Sequence, residues 1–309
     1  MSAAQDPAGP GAHQSRAGVA HFSMLCYAIL IGTSFPVGEA IAGGLDPAVL
    51  TFFRLVLAAA VLGLVLAVRR DFVRPDRSLI LRSGMVGLLM SVFFVAMFEA
   101  LRWTTALSTV ALFTLVPLAS SGFGYLINGQ RINTVHLACL AFGAAGAMWI
   151  VFDGSLEKLL TLSLGRGELI FVVGGLAFSL YAPVIKRLHR GESPPVLAFW
   201  NLLTGAVLLG IYAVPALLET DIHAVHMKVW AGIVYLAVFS TAITFFLSTL
   251  GSLSLPAFKV MSYTYLTPAV VAIFAAIFYQ QLPTLSVTVG ILMVVSVTFL
   301  LQMTKTDTF

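Results

Sequence analysis

Hydrophobic positions in this chain fall in long unbroken runs, separated by short clusters of charged, Gly, Pro or Asn residues. A helix rising ~1.5 Å per residue needs about 20 predominantly apolar residues to cross the hydrocarbon core of a bilayer. Ten runs meet that length, near 19–41, 47–68, 79–101, 104–127, 134–152, 168–187, 195–215, 229–249, 255–279 and 284–302. The connections between them are too short for a soluble domain. The pattern predicts an all-α membrane protein with a disordered tail over 1–18, five helices in 19–152, five more in 167–302 and a short tail over 303–309. The first run is about 23 residues long and lacks a small-residue cleavage site, so it reads as a retained helix and not a signal peptide.

Composition supports this. Of 309 residues 59% are hydrophobic and only 10% charged, with a mean hydropathy of +0.99, and a water-facing surface cannot be made from so few charges. A net charge of +4 would suggest nucleic acid in a soluble protein. Here the basic residues sit in short loops, where they report topology instead. With the N-terminus in the cytoplasm, eleven lie inside (Arg16, Arg69, Arg70, Arg74, Arg77, Arg82, Arg131, Lys186, Arg187, Arg190, Lys305) and four outside (Arg102, Lys158, Arg166, Lys228). Arg54 and Lys259 fall within spans. The reading is a multi-pass protein of a bacterial inner membrane, both termini cytoplasmic, with the lipid bilayer and not nucleic acid as its surroundings. Cys26 and Cys139 lie in apolar runs without partners at metal-ligand spacing, so no metal site is expected.

The chain also repeats itself. A slide of 147 residues sets Pro36 and Val37 on Pro183 and Val184; it also sets Pro47, Phe52 and Gly63 on Pro194, Phe199 and Gly210. Farther on the offset becomes 151, aligning Phe94 with Phe245, Pro117 with Pro268 and Gln130 with Gln281. Each copy holds five spans, an odd number, so the second enters the membrane inverted relative to the first.

At these residues the sequence resembles the drug/metabolite transporter superfamily, in its ten-helix branch of two EamA-type repeats. The resemblance is carried by IGTSFPVGEAI and LDPAVLTFFRLVLAAAVLG in the first two helices. ALSTVALFTLVPLASSGFGYLINGQRI and PAFKVMSYTYLTPAVVAIFAAIFYQQL are similar to the family's fourth and ninth. Where the family carries a Glu at the end of those helices this chain has Gln130 and Gln281, which puts proton coupling there in doubt. The resemblance implies two inverted repeats around a central cavity lined mainly by helices 1, 3, 4, 6, 8 and 9. It also implies alternating access, no cofactor, and, from the aromatic and broad-specificity amino-acid exporter group within the family, amino-acid substrates.

Individual residues carry two readings each. Pro36, Pro117, Pro183 and Pro268 each remove a backbone hydrogen bond, giving either hinges facing the cavity or static kinks. Arg54 lies about 10 Å into helix 2, where an unpaired charge is expensive. Glu39 and Glu99 are the carboxylates available on that side, for an ion pair serving as a gate or as a structural clamp. Lys259 either meets a substrate carboxylate or snorkels to headgroups, with Ser262 and Tyr263 sharing its face. Phe94, Phe245 and Tyr181 are candidates to stack on a substrate side chain, against a plain packing role; Thr33 and Thr241 are weaker polar candidates. Gly143 and Ala147 allow close helix approach, for a dimer or, more commonly, within a monomer, which ten spans suffice to form.

Three function classes follow. The first is a secondary exporter of amino acids such as aromatic residues, threonine or methionine, with a carrier of a drug cation or purine as its variant. An intramembrane enzyme would need a cluster of acids, bases or metal ligands, yet the six His sit at tails, loops or span ends and no HExxH occurs. A membrane-anchored signalling protein would be expected to carry a soluble domain. No nucleotide-binding loop of the GxxxxGK type is present.

Overall fold

The computed structural model describes residues 10–130, 134–160, 165–280 and 282–303. Among these, ten helical spans are long and apolar enough to cross a membrane. Spans 1 to 5 are Gly18–Ile41, Pro47–Arg69, Arg77–Ala100, Ser108–Asn128 and Thr134–Val151; spans 6 to 10 are Arg166–Leu188, Pro194–Glu219, Met227–Ser254, Ala257–Phe274 and Leu285–Met303. The helix of span 1 continues back to Pro10, into the stretch read as a tail. Starts are marked by side chains that accept first-turn amides: Asp46 takes Ala48 N at 2.8 Å and Asp76 takes Leu79 N at 2.7 Å. The outward faces carry exposed Leu64, Val68, Leu126, Ile211 and Leu218, an apolar belt suited to lipid.

Packing follows the repeat. Span 1 lies on spans 8 and 9, and its counterpart span 6 lies on spans 3 and 4. Spans 2 and 7 pack on each other, as do 5 and 10. At the 2–7 interface the symmetry reaches single atoms. A Cβ added at Gly63 would stand 2.9 Å from the ring of Phe199, and one at Gly210 would stand 2.9 Å from the ring of Phe52. Each glycine is the notch for the other half's phenylalanine.

Three spans are interrupted. Span 4 breaks between Ala106–Phe113 and Val116–Asn128, with Pro117 in the first turn of the second piece. Span 9 breaks between Ala257–Ser262 and Thr267–Tyr279 through a 3₁₀ turn, with Pro268 placed likewise. Proline fits such a first turn because the missing N–H has no intrahelical acceptor there. Pro36 and Pro183 instead lie inside continuous helices. Span 8 widens into a π turn over Val238–Ile243.

Spans 3 and 7 touch backbone to backbone: a Cβ on Gly87 would meet Asn201 O at 2.5 Å and Gly205 N at 2.6 Å. Gly87→Ala should therefore lower stability by about 1–3 kcal/mol or more, because a helix and not a side chain must move. Gly84→Ala on the same span, whose nearest neighbour would be Leu208 at 4.0 Å, should be tolerated. Thermal unfolding of the two purified variants checks the contrast.

Candidate functional site

The middle of the bundle is built around Arg54, whose relative exposure is 0%. A π turn loosens the regular i to i−4 ladder and is a frequent feature of functional sites. In span 8 it presents Ser240 O and Thr241 Oγ1 toward span 2. Arg54 donates through Nε to Thr241 Oγ1 at 2.6 Å and through Nη2 to Ser240 O at 3.0 Å. Its guanidinium lies over the Phe94 ring, 3.9 Å from the centroid, with Phe98 at 5.9 Å. The Ser240 hydroxyl in turn donates to Leu30 O of span 1 at 3.2 Å. Arg54 Nη1 has no hydrogen-bond partner, and neither has the buried hydroxyl of Thr51 one turn earlier.

The ion pair expected for Arg54 is not formed. Glu39 accepts from Ala106 N at 3.2 Å, at the first turn of Ala106–Phe113, where a helix N-terminus favours negative charge. Glu99 accepts from Trp103 Nε1 at 2.8 Å and pairs with Arg102 at 3.1 Å. Both carboxylates serve the span ends, and Arg54 reaches inward, to span 8. Depth along the helix located the charge correctly, but the partners lie 186 and 187 residues away on a different helix.

The repeat-related rings of Phe94 and Phe245 meet, with centroids 6.3 Å apart. Tyr181 stands edge-on to Phe245 at 5.8 Å, and its hydroxyl shares hydrogen bonds with Thr249 Oγ1 at 2.9 Å and Ser248 Oγ at 3.3 Å. Beyond them lies an aromatic plug that sequence reasoning missed. Phe93 touches Phe94 at 5.1 Å and Phe178 at 4.5 Å, and Phe113 lies 6.0 Å from Phe93 and 5.2 Å from Phe35. These rings have no aromatic counterparts in the other repeat, so sliding the sequence on itself passes over them. Thr33 makes no hydrogen bond to Arg54 but borders its cluster: it donates at 2.8 Å to Leu30 O, the carbonyl that also accepts from Ser240, and shares a hydrogen bond with Tyr235 at 2.7 Å.

The two ends of the bundle differ. At the end holding Glu39 a cavity of about 510 Å³ opens, lined by Phe35, Pro36, Val110, Asp153 and Pro268 among others. It lies between spans 1, 4, 5, 9 and 10, not in the centre among spans 1, 3, 4, 6, 8 and 9 as expected, because aromatic side chains fill that centre. The opposite end is closed by polar contacts. Asn128 Nδ2 donates to Pro183 O at 3.0 Å, and Ala257 N, the first amide of span 9, donates to Gln130 Oε1 at 3.2 Å. Gln281, the repeat mate of Gln130, lies outside the described residues. Lys259 Nζ donates to Gln302 O at 2.9 Å, Gln302 Nε2 donates to Ser262 Oγ at 3.0 Å, and Tyr263 shares a hydrogen bond with His21 Nδ1 at 3.0 Å. Lys259, Ser262 and Tyr263 thus belong to the closed end and not to the Arg54 cluster. There too Arg82 pairs with Glu192 at 2.7 Å and donates to Leu188 O at 2.6 Å. Among the described residues no group of acids, His and Cys is arranged to hold a metal ion.

Two inverted five-span units, interrupted helices and buried polar groups at mid-depth define a membrane transporter of the inverted-repeat class. The chain belongs to the EamA-like transporter family, whose pattern matches residues 18–152 and 165–303. It is similar to the uncharacterized transporter YyaM of Bacillus subtilis strain 168, 22% identical over 257 residues, covering 82% of this chain and 84% of that protein. An uncharacterized transporter of Archaeoglobus fulgidus is 23% identical over 247 residues, 80% of this chain and 84% of the relative. A solved crystal structure shares the fold with a TM-score of 0.71 at 18% identity, over 95% of this chain and 100% of the other. The protein is therefore an EamA-type transporter of the drug/metabolite transporter superfamily and a multi-pass membrane protein.

Burial raises the Glu192 pKa, but the Arg82 hydrogen bond and the Arg190 amide outweigh it and hold the carboxyl below the usual carboxylate range. A depressed pKa contributes stability above the ordinary glutamate range and loses it as pH falls through the folded value. Glu192→Gln should cost about 1–3 kcal/mol at neutral pH. Wild type should converge on the variant in acid, and thermal unfolding across pH measures both.

Proposed function

We propose that this protein is a secondary transporter that exports amino acids and related small metabolites by alternating access, working as a monomer in a bacterial inner membrane. The observation that carries the reading is the contrast, among spans 1, 4, 6 and 9, between a cavity of about 510 Å³ beside Pro36 and Pro268 and a hydrogen-bonded closure beside Pro183 and Gln130; the groove of about 580 Å³ between spans 3 and 7 is lined by exposed Leu81 and Val207 and belongs to the outer apolar face. Repeat-related ends that differ in this way are what exchange of roles between inverted halves requires. The volume falls within the range of small-ligand sites, about 300–1,000 Å³. With the N-terminus in the cytoplasm, the cavity faces outward and the closure faces the cell interior.

The amino-acid assignment is supported by the lining of the path between them. Phe93, Phe94, Phe113, Phe178, Tyr181 and Phe245 offer ring faces to an apolar side chain, and Ser248 and Thr249 offer hydroxyls. A drug-cation carrier would place a carboxylate there. Of the acidic residues in the described spans' end turns, Glu39, Glu99 and Glu168 are engaged at those ends and Glu219 is exposed at the end of span 7.

Purified protein in liposomes should accelerate uptake of radiolabelled phenylalanine, methionine and threonine over empty vesicles, and Phe245→Ala should slow phenylalanine several-fold at equal incorporation. Movement of none of the three would remove the amino-acid assignment and leave a transporter of another solute.

A further inference from the structure

An arginine with no counter-ion in the middle of a membrane protein calls for a physical account. An isolated buried charge is strongly unfavourable, and membrane proteins retain one where it pairs or where it acts. Arg54 is fully buried, has two neutral acceptors and one aromatic face, and leaves Nη1 without a partner. Three carboxylates at the span ends on that side of the bundle are committed elsewhere: Glu39 to Ala106 N, Glu99 to Arg102 and Trp103, and Glu168 to Gly165 N and Thr104.

The geometry around the guanidinium is ordered for a ligand. Nε is taken by Thr241, one N–H of Nη2 by Ser240 O, and the π face by Phe94, so the plane is fixed. What remains is the end-on edge, Nη1 with the second N–H of Nη2. That pair is the fork that grips a carboxylate through two parallel hydrogen bonds. Thr51 Oγ1, buried and without a partner on the same helix face, adds a third donor. The repeat-related residue is Asn201, a neutral side chain of span 7, the helix that meets Gly87 through its backbone. The cation is thus specific to one half and not a by-product of the duplication.

We propose that Arg54 is the carboxylate-binding group of the transport site: a solute carboxylate enters past the aromatic plug and takes the free guanidinium edge, with Phe94 and Phe245 parting to admit it. The plug that must open is an unbroken series of rings: Phe35 lines the open cavity, and Phe113, Phe93 and Phe94 follow ring to ring as far as Arg54. The inference rests on the solute-carrier reading of this site and narrows the substrate class to solutes bearing a carboxylate.

Thermal stabilisation of the detergent-purified full chain tests it, because a ligand that binds the folded state raises its melting temperature whether or not it is transported. The probes are phenylalanine and phenylacetate against phenylalaninamide and phenylacetamide, which keep the ring and lose the carboxylate. Wild type should bind each carboxylate about tenfold or more tightly than its amide. Arg54→Gln should abolish that preference, and Arg54→Lys, which keeps charge but not the fork, should weaken it without erasing it. Equal stabilisation of wild type by acid and amide, stabilisation by neither acid, or an undiminished preference in Arg54→Gln overturns the inference. Should Arg54→Gln not fold, the wild-type ratio and Arg54→Lys still decide. Phenylacetate bound through Arg54 while no amino acid is transported would sink the amino-acid reading and leave this one standing. Amino acids transported equally well by wild type and Arg54→Gln would do the reverse.

Discussion

In hydrocarbon there is no water to hydrogen-bond a stray amide or carbonyl, and this constraint shapes every element of the molecule. Regular helix satisfies it automatically, so each departure from regularity must come with a partner. The start of span 9 is met by Gln130, which accepts from the first amide, Ala257 N. The start of the span 4 helix at Ala106 is met by Glu39. The π turn in span 8 is met from the opposite direction, by a guanidinium that supplies donors to Ser240 O and Thr241 Oγ1. Irregular backbone and buried polar side chains are two sides of one accounting, and at Ala257 and Ser240 they occur together where helices of both repeats meet.

The architecture was largely legible in the sequence because its signals are of long range and high contrast. Ten apolar runs are hard to mistake, and matched prolines and glycines at offsets of 147 and 151 residues survive where matched leucines would carry no information. The interior was less legible. Arg54 was recognisable as an anomaly from span 2 alone, but its partners were not, because a π turn has no distinctive composition and Ser240 acts through its backbone oxygen. Lys259 is a second charge whose partner was not legible. Its place at the edge of a span allowed a substrate carboxylate or the headgroups, and in the structure its ammonium donates to Gln302 O near the end of span 10, where cations are favoured by the helix end.

Pseudo-symmetry is broken in a consistent place. Gly87 lets spans 3 and 7 meet at the backbone, while the aligned residue in the other half, Val238, opens the π turn. The side chain that Arg54 replaces on going between repeats is the amide of Asn201. A close-packed crossing in one half corresponds to a widened, polar one in the other. The aromatic plug adds to the inequality, since its phenylalanines lie in spans 1, 3, 4 and 6 without ring counterparts across the axis.

The reciprocal seating of Phe199 on Gly63 and Phe52 on Gly210 carries an evolutionary corollary. Spans 2 and 7 each bear a ring and, eleven positions later, the notch that receives such a ring. One five-helix unit thus already contains both halves of the lock, and two identical units inserted in opposite senses would close it without further adaptation. The fused chain has since let its halves diverge at Arg54 and Asn201, but it still carries, in four residues, the dimer from which such a duplication can start.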